Sequence, residues 1–271
     1  MPAESPSAAP LGTIAVLGGG DDDRFIACLA GLLADRNAPI EVLTTATRRQ
    51  PARTAAAYAH SWHQLGCPHV RHLQVCEDYP ADDPETLQRL RRATLVFMSG
   101  GDQERIIDFL LGTEFLSILK HKYQTEAGFI LAGTSAGASA VAEFMLVNGH
   151  GWRSLLAGHI EVKPGLGLLP GVLLDQHFAE RGRYPRLMHA VLAQPTLLGI
   201  GLSEETGLII RHGQPAEVFG EEAVVVVDAA SLTHNNLPNL PEDEVISAHN
   251  LRVHLLVKGQ QLDVAARTVG V

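Results

Sequence analysis

Phe129-Ile130-Leu131-Ala132-Gly133-Thr134-Ser135-Ala136-Gly137 is the stretch from which the fold of this chain can be worked out. It opens with an apolar run long enough for one buried strand, and the alanine-rich residues 136–146 predict a helix directly after it. Gly133, Ser135 and Gly137, at this spacing between a strand and a helix, form the pattern of a nucleophile elbow, a sharp turn that presents a serine hydroxyl. The sequence therefore predicts an α/β domain with a reactive serine at Ser135.

Strand-like and helix-like segments alternate before this stretch. The strand candidates are 13–17, 40–44, 70–75 and 95–98, and the helix candidates are 24–35, 52–65, 84–92 and, with breaks, 105–123. Such alternation predicts a doubly wound, mostly parallel sheet flanked by helices. Residues 218–219, 223–227 and 251–257 are rich in β-formers and predict antiparallel strands on the same domain. We predict a disordered leader over residues 1–10 and a single domain over residues 11–271.

The composition excludes several classes of protein. The chain has 271 residues and a formal net charge of −9, which argues against a nucleic-acid partner. It has no apolar stretch long enough for a membrane span, and residues 1–10 lack the features of a signal peptide. Its three cysteines are odd in number and show no CxxC spacing, so they predict neither disulfides nor a zinc site. We expect a cytoplasmic protein without a metal or another cofactor.

A nucleophilic serine needs a base that takes its proton and an acid that orients this base. His177 is the best placed of the 13 histidines, because it follows the apolar run 172–174. Glu204 and Glu205 follow the strand-like run 197–202, and either could be the acid. Ligand sites of parallel sheets lie at the carboxyl ends of the strands, so we expect these residues to converge on one edge.

The reaction also needs donors for a negatively charged oxygen. The N–H of Ala136, next after the serine, is one natural donor, and the turn after residues 95–98 offers Gly100 or Gly101 as the second. The run Gly18-Gly19-Gly20 does not match the GxGxxG pattern of dinucleotide sites.

Three arginines follow His177 closely, namely Arg181, Arg183 and Arg186. Guanidinium groups beside a candidate base suggest recognition of carboxylates through paired hydrogen bonds. The alternative is a solvated helix face, and the residues alone favour this alternative.

Several motifs, in one order along the chain, resemble those of the cyanophycinases. They are Phe97-Met98-Ser99-Gly100-Gly101-Asp102-Gln103, Leu131-Ala132-Gly133-Thr134-Ser135-Ala136-Gly137-Ala138, Asp175-Gln176-His177-Phe178 with the three arginines, Gly199-Ile200-Gly201-Leu202-Ser203-Glu204, and His249-Asn250-Leu251-Arg252-Val253. The resemblance covers nearly the whole chain after the leader. It implies a domain like that of class I glutamine amidotransferases, usually a homodimer, in a serine peptidase family that also contains aspartyl dipeptidase.

The resemblance also implies an activity. Cyanophycinases degrade cyanophycin, a polymer with an aspartate backbone and an arginine on each side-chain carboxyl, and they release β-Asp-Arg dipeptides as exopeptidases. By motif, Ser135 would be the nucleophile, His177 the general base and Glu204, rather than Glu205, the acid. Gly101 and Ala136 would form the oxyanion hole. The substrate-binding residues would be Gln103, Asp175, Gln176, Arg181, Arg183 and Arg186. The order Ser–His–Glu differs from the Ser–acid–His order of α/β-hydrolases.

Two segments depart from the family pattern. A Gly-Gly-x-Glu-Asp-Lys turn is common after the first strand, and here Asp23 takes the place of the lysine. Residues 149–164, with Trp152 and Arg153, do not match the polar stretch usual there. Both departures bear on fine specificity, such as arginine against lysine side groups. The alternative hypotheses are an aspartyl dipeptidase of the same family and a non-catalytic binding protein on this fold.

Overall fold

The structure is a computed structural model that describes residues 9–270. Residues 1–8 of the predicted leader lie outside the described residues. The helices are α1 (Asp23–Leu32), α2 (Pro51–Gln64), α3 (Pro84–Arg92), α4 (Gln103–Leu110), α5 (Glu114–Thr125), α6 (Ala136–Val141) and α7 (Tyr184–Ala193), with short 3-10 helices at Gly151–Leu155 and Leu237–Asn239. No helix in the described part is both long and apolar enough to cross a membrane.

The strands follow the predicted order through the first half of the chain. They are β1 (Thr13–Leu17), β2 (Ile40–Leu43), β3 (Val70–Leu73), β4 (Leu95–Met98), β5 (Ile130–Thr134), β6 (Ala142–Asn148), β7 (Glu161–Pro164), β8 (Leu169–Asp175), β9 (Leu198–Leu202), β10 (Thr206–Arg211), β11 (Ala216–Gly220), β12 (Val224–Asp228), β13 (His234–Asn235), β14 (Ala248–His249), β15 (Arg252–Leu256), β16 (Gln261–Asp263) and β17 (Thr268–Gly270). Strands β13 and β14 form a separate two-stranded sheet.

The larger sheet has the strand order β17-β16-β11-β10-β1-β5-β4-β2-β3. Strands β1 to β5 run parallel, and the C-terminal strands extend the sheet from β1 in antiparallel fashion. Alternate residues of β1 enter two different cores, since Ala15 and Leu17 pack with α1 and α2, whereas Ile14 and Val16 pack with α3, α4 and α5. Helices therefore cover both faces, and the predicted α/β fold class is confirmed.

A second sheet of six strands, in the order β15-β12-β9-β8-β6-β7, was not predicted. Leu173 and Val225 pack against α7 on one of its faces, and Leu174 and Val226 on the other face join the core that also receives Ile14 of the larger sheet. The short helix α6 is buried along its whole length and contacts strands of both sheets. The two sheets are thus joined by one continuous core.

The prediction of a helix over residues 136–146 is wrong in its second half. Helix α6 ends at Val141, and the chain continues directly as β6. Phe144 and Met145 pair with residues of both β7 and β8, so the backbone of this segment is bonded on both sides. Helix propensity is a weak preference, and here the pairing with distant strands overrides it.

Candidate active site

Ser135 occupies the turn between β5 and α6, as the elbow pattern predicts. Its backbone has φ 50° and ψ −112°, a conformation that L-residues adopt only when their surroundings enforce it. The Ser135 N–H donates to the carbonyl of Leu17 over 3.0 Å. A Cβ placed on Gly133 would lie 2.4 Å from the carbonyl oxygen of Gly137, so the turn requires a glycine there.

His177 reaches the serine from the second sheet. It follows β8, and its Nε2 lies 2.8 Å from Ser135 Oγ. The backbone of His177 is itself held at the end of β1, because its N–H donates to the carbonyl of Gly18 over 2.8 Å. Gly19, at φ 110°, lies against the imidazole, and a Cβ at this position would stand 2.3 Å from His177 Cε1.

Glu204 completes a chain of hydrogen bonds at the end of β9. Its Oε1 lies 2.6 Å from His177 Nδ1. A proton on Nδ1 leaves Nε2 free to accept the serine proton, which is the arrangement that general-base catalysis requires. The neighbouring Glu205 uses its N–H to donate to the carbonyl of Gly19 over 2.7 Å. Spacing leaves both glutamates open and the family motif points to Glu204, and it is Glu204 that the structure brings to the imidazole.

The proposed oxyanion donors lie on either side of the serine. Ala136 is the first residue of α6, so its N–H has no carbonyl to pair with inside the helix. The Gly100–Gly101 turn lies against the nucleophile, since a Cβ at Gly100 would be 3.7 Å from Ser135 Oγ. Gly101 has φ 141° and packs closely on the carbonyl of Ala46. The use of the Gly101 N–H as the second donor stays a prediction.

The predicted substrate residues lie beside His177, and most of them bind one another. The Asp175 carboxylate is fully buried and accepts from Arg186 Nε over 2.7 Å and from Arg183 Nη1 over 3.1 Å. Gln176 Nε2 donates to Gln103 Oε1 over 3.2 Å. The favoured alternative of a solvated helix face is therefore wrong for Arg186 and Arg183, which are buried against a carboxylate.

Arg181 is the exposed member of this set. A cavity of about 80 Å³ adjoins it, and its lining includes Arg183, Arg186 and the buried Ser154. A second cavity, of about 420 Å³, is lined by Arg153 and other residues between 148 and 161. The segment that does not match the family pattern thus forms the walls next to the arginines. Direct contact of the six predicted residues with a substrate stays a prediction.

Comparisons with known proteins assign the chain to a family. Residues 15–218 match the sequence model of Peptidase family S51. The chain belongs to this family. It is accordingly a serine-type peptidase, and the spatial grouping of Ser135, His177 and Glu204 agrees with that class.

Relatives of this S51 peptidase carry the name that the motifs suggested. A protein of Trichormus variabilis named cyanophycinase is 32% identical over 260 residues, which are 94% of this chain and 87% of the relative. A cyanophycinase of Synechococcus elongatus is 33% identical over 252 residues, 92% of this chain and 78% of the relative. The crystal structure of a peptidase from an acI-B1 actinobacterium has the same fold, with a TM-score of 0.64 and 24% identity over 94% of this chain and 98% of its own.

The electrostatics of the S51 site favour a neutral imidazole. Burial of the ring lowers the pKa of His177, and the hydrogen bond to Glu204 opposes this shift without overcoming it. The side chain of His177 is 13% exposed and that of Glu204 is 37% exposed, so the acid faces the solvent more than the base does. Among the described residues, no group of three His, Cys, Asp or Glu side chains is placed to hold a metal ion.

The shifted imidazole predicts the acid limb of the pH profile. His177 must be neutral to accept the serine proton, and its pKa is lowered, so we expect kcat/KM to fall only below about pH 6.5, the ordinary imidazole value. The measurement is kcat/KM against pH between about 4 and 8. Glu204→Gln removes a contact that raises this pKa and should move the limb further to acid. An acid limb centred above the ordinary imidazole pKa would contradict the assignment of His177 as the general base.

The buried ion pairs predict a large loss of stability in Asp175→Asn. This change leaves Arg186 and Arg183, whose side chains are 3% and 10% exposed, without their counter-ion. We expect the free energy of unfolding to fall by about 3–5 kcal/mol, measured by urea denaturation. Glu221→Gln is the matched control, since it breaks an ion pair with Arg24 in which both side chains are exposed, and it should change stability little. Equal effects of the two changes would refute this role of Asp175.

Proposed function

We propose that this S51 peptidase is a cyanophycinase, a serine exopeptidase that hydrolyses cyanophycin, multi-L-arginyl-poly-L-aspartate, to β-Asp-Arg dipeptides. The observation that carries the proposal is the chain of hydrogen bonds from Ser135 Oγ through His177 to Glu204, with lengths of 2.8 and 2.6 Å. The identity of about a third to relatives named cyanophycinase, over more than nine-tenths of this chain, supports the substrate.

The geometry supports a two-step mechanism. Ser135 Oγ attacks the carbonyl carbon of a backbone amide of the polymer while His177 Nε2 takes the hydroxyl proton. The N–H groups of Ala136 and Gly101 stabilise the negative oxygen of the tetrahedral intermediate. The carbon–nitrogen bond then breaks, and His177 returns the proton to the leaving amine. A water molecule, deprotonated by His177, attacks the acyl-enzyme and releases the second product, while Glu204 stabilises the charged imidazole in both steps.

The residues around His177 support recognition of a substrate that carries carboxylates. Each unit of the polymer presents a carboxylate and a guanidinium group. We propose that the arginine cluster holds a carboxylate, with the exposed Arg181 as the first point of contact. The buried Asp175 carboxylate accepts hydrogen bonds from Arg183 and Arg186 and so holds these two side chains in place. Gln103 and Gln176 complete the predicted substrate side of the site.

The two alternative functions have weaker support. An aspartyl dipeptidase would share the family and the reacting residues, but the relatives cited above are named cyanophycinase. A non-catalytic binding protein would have no need for a serine in an enforced turn, hydrogen-bonded to a histidine that is oriented by a glutamate.

Incubation of the purified protein with cyanophycin tests the proposal, with the soluble products followed by mass spectrometry. We expect β-Asp-Arg as the main product from the first time points, because an exopeptidase releases one unit at a time. Dipeptides with an N-terminal aspartate are the parallel substrates. Hydrolysis of these dipeptides without release from the polymer would replace the proposed function by the aspartyl dipeptidase alternative, and binding of the polymer without any cleavage would favour the binding protein.

We also propose a single domain over residues 11–271, a cytoplasmic location and a homodimer. Support for the homodimer comes from the family resemblance and from one apolar surface. Val253 and Leu255 on the edge strand β15, and Val257 just after it, are exposed. An exposed apolar edge strand is a ready surface for pairing with a second copy of the chain. The molar mass in solution, measured by light scattering, tests this assembly.

A further inference from the structure

Asp22 is a partly buried carboxylate behind the serine turn, and the mechanism described above does not use it. Its Oδ1 accepts a hydrogen bond from Thr134 Oγ1 over 2.6 Å, and its Oδ2 accepts one from Tyr58 Oη over 2.7 Å. Thr134 is the last residue of β5 and directly precedes Ser135, whereas Tyr58 lies on α2. Three separate elements therefore meet at a single carboxylate next to the nucleophile.

The position of Asp22 at the start of α1 suggests a simpler role, which the structure does not support. Aspartate before the first residue of a helix usually caps it by accepting a hydrogen bond from a backbone N–H. Asp22 makes no such bond with its side chain. Both of its oxygens instead face hydroxyl groups of other elements. Its hydrogen-bonding capacity is thus directed at Thr134 and Tyr58 and not at its own helix.

The turn at Ser135 needs support of this kind. Its positive φ persists only where the neighbouring contacts enforce it. On one side, the carbonyl of Leu17 holds the Ser135 N–H. On the other side, the buried β-branched side chain of Thr134 is stiff at χ1, and its hydroxyl donates to Asp22. The orientation of the peptide that enters Ser135 is therefore coupled to Asp22.

We propose that Asp22 is a positioning residue for Ser135, acting through Thr134, and that Tyr58 holds Asp22 in place. The proposal rests on the proposed function, in which Ser135 is the nucleophile. A carboxylate can accept from two hydroxyl groups, one at each oxygen, whereas an amide presents one acceptor oxygen and one NH₂ donor. Displacement of the serine oxygen by about an ångström is enough to slow its attack, because catalysis depends on alignment.

The electrostatic setting fits a carboxylate that depends on these two contacts. Burial raises the pKa of Asp22, the hydrogen bonds from Thr134 and Tyr58 oppose that shift, and the nearby Asp21 and Asp23 reinforce it. Burial also raises the pKa of Tyr58, which keeps the phenol protonated as a donor.

The test uses Thr134→Val, which keeps the shape of the side chain and removes the hydroxyl, and Thr134→Ser, which restores it. Two readouts separate positioning from substrate binding. The first is kcat and KM on cyanophycin. The second is the rate at which a fluorophosphonate labels Ser135, with an O–P bond formed and fluoride lost. We expect Thr134→Val to lower kcat and the labelling rate at least about ten-fold with KM unchanged, and Thr134→Ser to stay within about two-fold of the wild type.

Asp22→Asn should behave like Thr134→Val, and Tyr58→Phe should have a smaller effect of about three-fold in the same direction. Asp83→Asn is the matched control for the carboxylate, because Asp83 caps α3 through the N–H groups of Glu85 and Thr86. Tyr123→Phe, on α5, is the control for the phenol. Both controls should keep wild-type rates, and circular dichroism should show that all variants are folded.

Labelling and turnover of folded Thr134→Val at the wild-type rates would overturn the proposal. If Asp22→Asn fails to fold, the comparison of Thr134→Val with Thr134→Ser decides the matter alone. A wild-type enzyme that labels but does not digest cyanophycin would reject the proposed substrate and leave the labelling rates as the test. A wild-type enzyme that is neither labelled by the fluorophosphonate nor able to digest cyanophycin would reject Ser135 as the nucleophile, and the positioning proposal with it.

Discussion

Ser135→Ala is expected to lower the release of β-Asp-Arg from cyanophycin by about 10⁴-fold or more. The change removes the oxygen that forms the acyl-enzyme. His177 and Glu204 remain, but the variant has no serine hydroxyl for them to deprotonate. Serine peptidases lose rates of this order when the nucleophile is removed, and the residual rate comes from the oxyanion donors and from substrate binding. Product release measured by mass spectrometry under single-turnover and steady-state conditions gives the ratio. The variant should still bind the polymer, since the arginine cluster is intact.

Ser139→Ala is the matched control for this loss. Ser139 lies one turn further along α6, is buried, and its Oγ has no hydrogen-bond partner within residues 9–270. Removal of an unpaired buried hydroxyl costs little, so this variant should keep both its rate and its stability. Ser135→Ala with appreciable turnover would contradict the assignment of the nucleophile, whatever the control shows.

Gly19→Ala is expected to lower kcat at least about 100-fold while the chain stays folded. The new Cβ would stand 2.3 Å from His177 Cε1 and 2.8 Å from its Nε2, so the imidazole must move away from the position where it meets Ser135 Oγ. Misplacement of a catalytic group by about an ångström costs roughly two orders of magnitude in rate. The loss should fall on kcat and on fluorophosphonate labelling of Ser135, because the three atoms nearest to the added Cβ all belong to the His177 imidazole.

Gly31→Ala is the control for the addition of a methyl group at a glycine whose φ is not positive. Gly31 lies on α1 and is exposed, and within residues 9–270 an added Cβ would meet no atom within 4 Å apart from its chain neighbours and the backbone of its own helix. Alanine is favoured over glycine in a helix by about 1 kcal/mol, so this variant should be slightly more stable and fully active. If Gly19→Ala were as active as Gly31→Ala, the close approach of Gly19 to the imidazole would have no catalytic role.

The sequence predicted the parts of the fold that depend on local patterns. The apolar runs of β1, β2, β4 and β5 fill both cores, and such runs are visible without knowledge of their partners. The six-stranded sheet was missed because the set of strands that form it depends on pairing between segments far apart in the chain. Strand β6 is the clearest example, since it follows the alanine-rich α6 without a break and its pairing with β7 and β8 makes it a strand.

The site shows the same division. Ser135 and His177 stand out because each follows an apolar run, but adjacent glutamates cannot be told apart by spacing when one side chain faces the imidazole and the other does not. The pairing of Asp175 with Arg186 was hidden, because charged residues at this spacing more often lie in solvent. The partners of Asp22 lie 36 and 112 residues further along the chain, a distance at which no local pattern can indicate a contact.

Ser135 belongs to one sheet, whereas His177 and Glu204 extend from strands of the other. During synthesis, Ser135 is added 42 residues before its base His177, and His177 is added 27 residues before the acid Glu204. A chain that stops short of β9 lacks Glu204, and a fragment that keeps one sheet without the other lacks either the serine or both of its partners. Assembly of the three reacting side chains therefore requires strands of both sheets.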